Sequence, residues 1–152
     1  MNPIARLLTT DHIVTDLDAN SKKRIFDDVS KLIEVRQELS GSTVFDALYA
    51  REKLGSTGLG LGVAIPHGRL KDLDHPVGVF LRLAHPIEFD SPDGQPVQLI
   101  FVLLVPESAN EQHLGLIAEL AQMFSDQTFR ERLIGAPDRV AILEIFSAWQ
   151  VS

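Results

Sequence analysis

The sequence predicts an α/β fold in which helices flank a mixed sheet, and three observations predict it. Segments of helical and of strand-like hydrophobic spacing alternate along the chain. The apolar run LIFVLLV (Leu99 to Val105) near the middle reads as a strand buried on both faces. Over 152 residues, 45% hydrophobic and 23% charged, the composition is that of an ordinary globular protein with one core. No repeat, low-complexity tract or linker divides the chain, so a single domain over 1–152 is expected.

The elements follow in order. Within SKKRIFDDVSKLIEVRQEL (Ser21 to Leu39), Ile25, Val29, Leu32 and Ile33 recur at helical spacing; Ser21 is placed to cap this helix and Gly41 lies just past its end. Ser42 to Ser56 reads as a second helix, with Val44, Phe45, Leu48 and Tyr49 inward and Gly55 as its stop. The glycine-rich stretch from Gly58 reads as a loop, and a short strand follows around Gly62 to Pro66. Val77 to Ala84 is a strand. HPIEFDSPDGQP, with its prolines and an Asp-Gly turn signal, is a loop or hairpin connection to the central strand VQLIFVLLVP. Asn110 to Phe124 is an amphipathic helix capped by Asn110. Further helices are expected at Asp126 to Ile134 and at Pro137 to Trp149, the last with proline in its first turn.

Composition removes several function classes. The absence of cysteine excludes disulfides, thiolate catalysis and Cys-ligated zinc, and suits a reducing cytoplasm. The N-terminus has no apolar core of signal-peptide type, and LIFVLLV is far short of the ~20 residues that span a bilayer, so a cytoplasmic chain without membrane insertion is expected. A net charge of −7 and only one basic cluster, SKKR, argue against nucleic acid. The partner is expected to be a small molecule or another protein.

The stretch GLGLGVAIPHG (Gly58 to Gly68) is glycine-rich but not nucleotide-binding. Gly58 and Gly60 begin a dinucleotide fingerprint, yet Val63 stands at its third glycine, and no Gly-Lys-Ser/Thr follows for a P-loop. A helix precedes the glycines, and VAIP favours extended backbone instead of opening one. The serine-hydrolase G-x-S-x-G and the R-H-G of histidine phosphatases are both missing. The five histidines, His12, His67, His75, His85 and His113, form no local metal motif. His12 reads as structural; His75 and His85, each before a proline, read as loop residues.

His67 is the candidate centre. It follows the short strand, mounted between Pro66 with its fixed φ and Gly68 with its conformational freedom, where ligands of open α/β sheets bind. His113 falls in the first turn of the helix after the buried strand, near free N–H groups and a positive dipole end. Parallel strands would bring both histidines to one rim; otherwise His113 helps cap its helix. Arg51 continues the apolar face of the second helix, either to snorkel or complement the helix end, or to reach toward His67. An imidazole nucleophile beside a guanidinium and a second imidazole suits a phosphoryl group.

These residues resemble a known family. Glu52, six residues, Leu59-Gly60, two residues and Val63-Ala64-Ile65-Pro66-His67-Gly68 match the phosphorylation-site signature of the fructose/mannitol-class enzyme IIA domains of the bacterial phosphoenolpyruvate-dependent phosphotransferase system. The resemblance continues through PIEFDSPDGQPVQLIFVLLVPES and HLGLIAELAQMF, and AREKLGSTGLGLGVAIPHGRL is most similar to the nitrogen-regulatory branch. It implies a five-stranded mixed sheet between helices and no metal or organic cofactor. It further implies that His67 accepts a phosphoryl group, on Nε2, from the phosphohistidine of an HPr-like carrier, with Arg51 and His113 in support. In that branch the phosphorylation state acts as a signal to regulatory or potassium-transport proteins. Two alternatives stay open: a soluble IIA feeding a separate sugar-transporter IIB, since no IIB or membrane IIC segment lies in this chain, and a binding regulator without active phosphotransfer.

Overall fold

The computed structural model describes residues 2–37, 39–108 and 111–150, the side chains at 111, 112 and 114 aside. In chain order the elements are β1 (Ile13–Leu17), α1 (Lys22–Gln37), α2 (Gly41–Leu54), β2 (Gly58–Gly60), β3 (Val63–Ala64), β4 (His67–Leu70), β5 (Val77–Ile87), β6 (Val97–Pro106), α3 (Glu111–Ser125), α4 (Gln127–Gly135) and α5 (Arg139–Ala148). Two short 3-10 turns, Ala5–Leu7 and Thr10–His12, precede β1.

Among the described residues the strands form a mixed sheet in the order β1-β5-β6-β3-β2, with β4 also paired to β6. β6 is the central strand, as its unbroken apolar run predicts, and its residues are buried except for the half-exposed Gln98. β5 pairs with it antiparallel, while β3 and β4 run parallel along its other edge. Val63 and Ala64 face Leu99 and Ile100; His67 and Leu70 face Leu103 and Pro106. β3 and β4 thus occupy one sheet position interrupted at Ile65 and Pro66, which reconciles six strand segments with the five-stranded sheet expected. β2 pairs with β3 and not with β4, so β4 keeps an open edge.

Helices cover both faces. Inward residues of α1 and α2, including Ile25, Val29, Ile33, Val44 and Leu48, pack on Val79, Leu81, Ile100, Val102 and Leu104. On the other face Leu120, Phe124, Phe129, Leu133 and Phe146 of α3, α4 and α5 pack on Phe80, Phe101 and Leu103. The alternation of a strand's side chains sends neighbouring β6 residues to opposite layers. Ser21 caps α1 as expected, accepting from the Arg24 amide at 3.1 Å, and Asp126 caps α4, accepting from the Phe129 amide at 3.1 Å.

Several expectations are corrected. β1 was not anticipated; it pairs parallel with β5. Gly41 opens α2 instead of closing α1, and Tyr49 is 41% exposed, stacked on a half-buried Phe45. The glycine stretch is not a loop but a tight hairpin, β2 to β3, turning through Gly60, Leu61 and Gly62 at positive φ. β5 runs on through His85 and Pro86, because a bulge between Arg82 and Ile87 tolerates the proline. Pro137 lies before the α5 cap, where Asp138 accepts from the Ala141 amide at 2.9 Å. The expected Asn110 cap lies outside the described residues.

Candidate functional site

His67 does not stand beyond a strand end; it is the first residue of β4. Pairing with Leu103 turns its side chain to the α3 face, and the open edge of β4 lets the end of α2 close over it. Gly68 is needed there, for a different reason from the one expected. Its φ is not positive; instead, an added Cβ would lie 3.2 Å from the Cβ of Ala47 and 3.3 Å from its carbonyl oxygen. The missing side chain allows α2 to lie directly against β4.

That contact brings Arg51 to the histidine. Its Nε donates to His67 Nε2 at 3.2 Å and its Nη1 to the Gly55 carbonyl at 2.8 Å, so it both closes α2 and reaches the imidazole. His67 Nδ1 lies 2.8 Å from the Ile65 carbonyl oxygen. A carbonyl only accepts, so Nδ1 carries the ring proton, and Nε2 holds the lone pair that meets Arg51. Burial is the largest influence on this ring and pushes its pKa below the usual histidine value. The Ile65 carbonyl opposes that shift, the Arg51 charge adds to it, and Glu52 opposes it. The half-buried imidazole is therefore neutral near pH 7.

A cleft of about 460 Å³ opens over His67 between α2 and α3. Arg51 and Leu54 line one side, His113 and Ile117 the other, with Arg69 beside His67 on β4. Parallel pairing of β4 and β6 thus brings His67 and His113 to one rim, and the three site residues singled out in the sequence share a single cleft. His12 is buried instead, its ring against the Gly78 carbonyl at 2.8 Å; His75 sits in an exposed turn and His85 in the β5 bulge, away from the cleft.

Sequence reasoning assigned no role to a buried polar bracket behind the site. Glu52 is 8% exposed, and its carboxylate accepts from the Thr57 amide at 2.9 Å, from the Thr57 hydroxyl and from Lys22 Nζ at 2.9 Å. Burial alone would push the Lys22 ammonium down, but its bonds to Glu52 and Asp90 outweigh that and hold its pKa above the usual value. The signal was present: Glu52 belongs to the signature and falls on the buried side of α2.

Residues 6–149 match the family model described as phosphoenolpyruvate-dependent sugar phosphotransferase system, EIIA 2. The chain belongs to this family. Its branch follows from further likenesses. The IIA domain is 42% identical over 143 residues to the nitrogen regulatory protein of Pseudomonas aeruginosa, covering 93% of each chain. It is 46% identical to the crystal structure of the nitrogen regulatory protein IIA-Ntr of Neisseria meningitidis, with a TM-score of 0.90 over 95% of this chain and 99% of that one. The mannitol enzyme IIA of Escherichia coli, solved in complex with phosphorylated enzyme IIB, shares the fold at 22% identity and a TM-score of 0.79, with 93% and 98% of the two chains covered. This IIA domain is thus of the nitrogen-regulatory kind, in a family of phosphotransfer proteins. Among its described residues no helix is long and apolar enough to cross a membrane.

Proposed function

We propose that this IIA domain accepts a phosphoryl group on His67 Nε2 from the phosphohistidine of an HPr-like carrier and signals through its phosphorylation state. The observation that carries the proposal is the tautomer: the Ile65 carbonyl keeps the proton on Nδ1 and leaves the Nε2 lone pair on the cleft side. The Nε2 lone pair attacks phosphorus, a P–N bond forms, and the P–N bond to the donor imidazole breaks with its electron pair staying on the donor nitrogen. No proton leaves His67, because Nδ1–H stays on the Ile65 carbonyl and spreads the positive charge that the ring gains.

Arg51 now occupies the Nε2 lone pair at 3.2 Å, so the incoming group displaces it. Its guanidinium then turns to the non-bridging phosphoryl oxygens, and His113 supports them from the facing helix. Regulatory or transport proteins, on this reading, distinguish the phosphorylated from the free cleft. No metal or organic cofactor takes part.

Onward transfer to a separate IIB is the second reading, favoured by the mannitol IIA neighbour whose structure includes phosphorylated IIB. Intact mass after incubation with phosphoenolpyruvate, enzyme I and the HPr-like carrier tests the main proposal. One acid-labile phosphoryl group is expected on the wild type and none on His67→Ala. Adding a IIB that then takes the label would favour the transport reading, and no gain in the wild type would favour a binding-only regulator.

A further inference from the structure

Two neighbouring residues at the end of α2 hold His67 from opposite sides of its ring. Arg51 meets Nε2 directly. Glu52 meets Nδ1 through three successive links, the first of them a pair of bonds. Its carboxylate takes both the amide and the hydroxyl of Thr57; the Thr57 carbonyl accepts from the Ile65 amide at 3.0 Å; and the Ile65 carbonyl accepts from His67 Nδ1 at 2.8 Å. Glu52 and Thr57 are each 8% exposed, so these bonds lie in a poorly hydrated interior where leaving any of them unmade is costly. Lys22, reaching from α1, neutralises the carboxylate at its far end.

We infer that Glu52, acting through Thr57 and Ile65, is a positioning residue that keeps His67 in its Nδ1–H tautomer and so keeps the Nε2 lone pair in the cleft. The bracket leaves the Ile65 carbonyl little freedom, because Ile65 is tied to Thr57 on its amide side and to His67 on its carbonyl side. Loosening it frees the carbonyl to turn, and the imidazole then exchanges its proton between the two nitrogens. The catalytic consequence rests on the phosphotransfer reading, but the tautomer does not.

The test reads the two separately. Long-range proton–nitrogen NMR of the unphosphorylated, nitrogen-15-labelled protein reports the His67 tautomer, and stopped-time mass analysis reports phosphoryl acceptance. Glu52→Gln and Thr57→Val are expected to lower the Nδ1–H fraction and slow acceptance about tenfold, the cost of roughly one displaced hydrogen bond. Thr57→Ser, which restores the hydroxyl, is expected to restore both. Folded Glu52→Gln and Thr57→Val proteins with the wild-type tautomer would overturn the inference, whatever their rates. Should Glu52→Gln not fold, Thr57→Val decides alone. A wild type that takes no phosphoryl group while its variants still lose the tautomer would refute the functional reading and leave this one standing.

Discussion

The aromatic layer under α3–α5 and the sheet rim that carries His67 are built for different ends. On the α3–α5 face, five phenylalanines interlock: Phe146 lies 5.2 Å from Phe80, 5.9 Å from Phe101, 6.1 Å from Phe124 and 5.3 Å from Phe129, ring centre to ring centre. A buried polar residue there, Arg82, is 7% exposed and spent on carbonyls at the end of α4, at 3.0 Å from Leu133 and 2.7 Å from Ala136. On the α1–α2 face the core is mainly aliphatic, and at the β4 edge, where α2 and α3 face each other across the sheet rim, lie Glu52, Thr57 and the bonds that hold His67. Tight aromatic packing tolerates no void, whereas the rim gives up packing for polar groups whose bonds must all be kept. Stability and chemistry are therefore separable in this molecule, and substitutions can test how fully.

The largest functional effect is expected from His67→Ala. Phosphorylation should vanish, while stability changes by about 1–2 kcal/mol, the net worth of the two hydrogen bonds made by a half-buried ring. Denaturant unfolding alongside intact mass checks both; a severe loss of stability would break the separation.

Phe146→Ala is the converse. Emptying the centre of the aromatic cluster should cost about 3–5 kcal/mol. The molecules that remain folded should accept phosphate at the wild-type rate, and a slowed rate in that fraction would show the two regions to be coupled.

Arg51→Ala sits between these extremes. Transfer should slow about a hundredfold, as when a positioned donor is removed from a developing charge, for a stability loss of about 1 kcal/mol. Single-turnover transfer rates would show it, and normal rates with a large stability loss would return Arg51 to a packing role.

The smallest effect is in the pH dependence. The folded pKa of His67 lies below its unfolded value of about 6.5. Between those two values the unfolded chain binds more protons, so stability rises with pH across that window. This contribution is present above pH 6.5 and is lost as pH falls through the depressed value. Acceptance should likewise persist below pH 6.5, because Nε2 stays unprotonated. A pH series on the wild type and on His67→Ala, which should lack this slope, sharpens the comparison; identical slopes would remove His67 as its source.

Much of this was legible in the chain. Residues at helical spacing, polar caps and the apolar run of β6 report local conformation and burial directly, so all five helices, β5 and β6 lie close to where periodicity puts them. The hairpin link after β5 was signalled by Asp93-Gly94, where Gly94 has a φ of 71°. β1 was not legible, because IVTDL is only five residues long with polar residues inside it, and it is a strand through its pairing with β5 more than sixty residues away. The β2–β3 hairpin was hidden because glycine favours no one conformation and its partner strand is two residues long.

For the candidate site, the sequence by itself determined the chemistry available: an imidazole between proline and glycine, a second histidine at a helix start, an arginine at a helix end. Tertiary structure decided how they meet. Parallel pairing of β4 with β6 put both histidines on one rim, and the absence of a Gly68 side chain, with Ala47 against it, brought Arg51 within 3.2 Å of His67. The tautomer was likewise invisible in one dimension, because it depends on which carbonyl lies against which ring nitrogen. Residue types are carried by the chain, but hydrogen bonds act over about 3 Å, and only the packed fold sets separations that small.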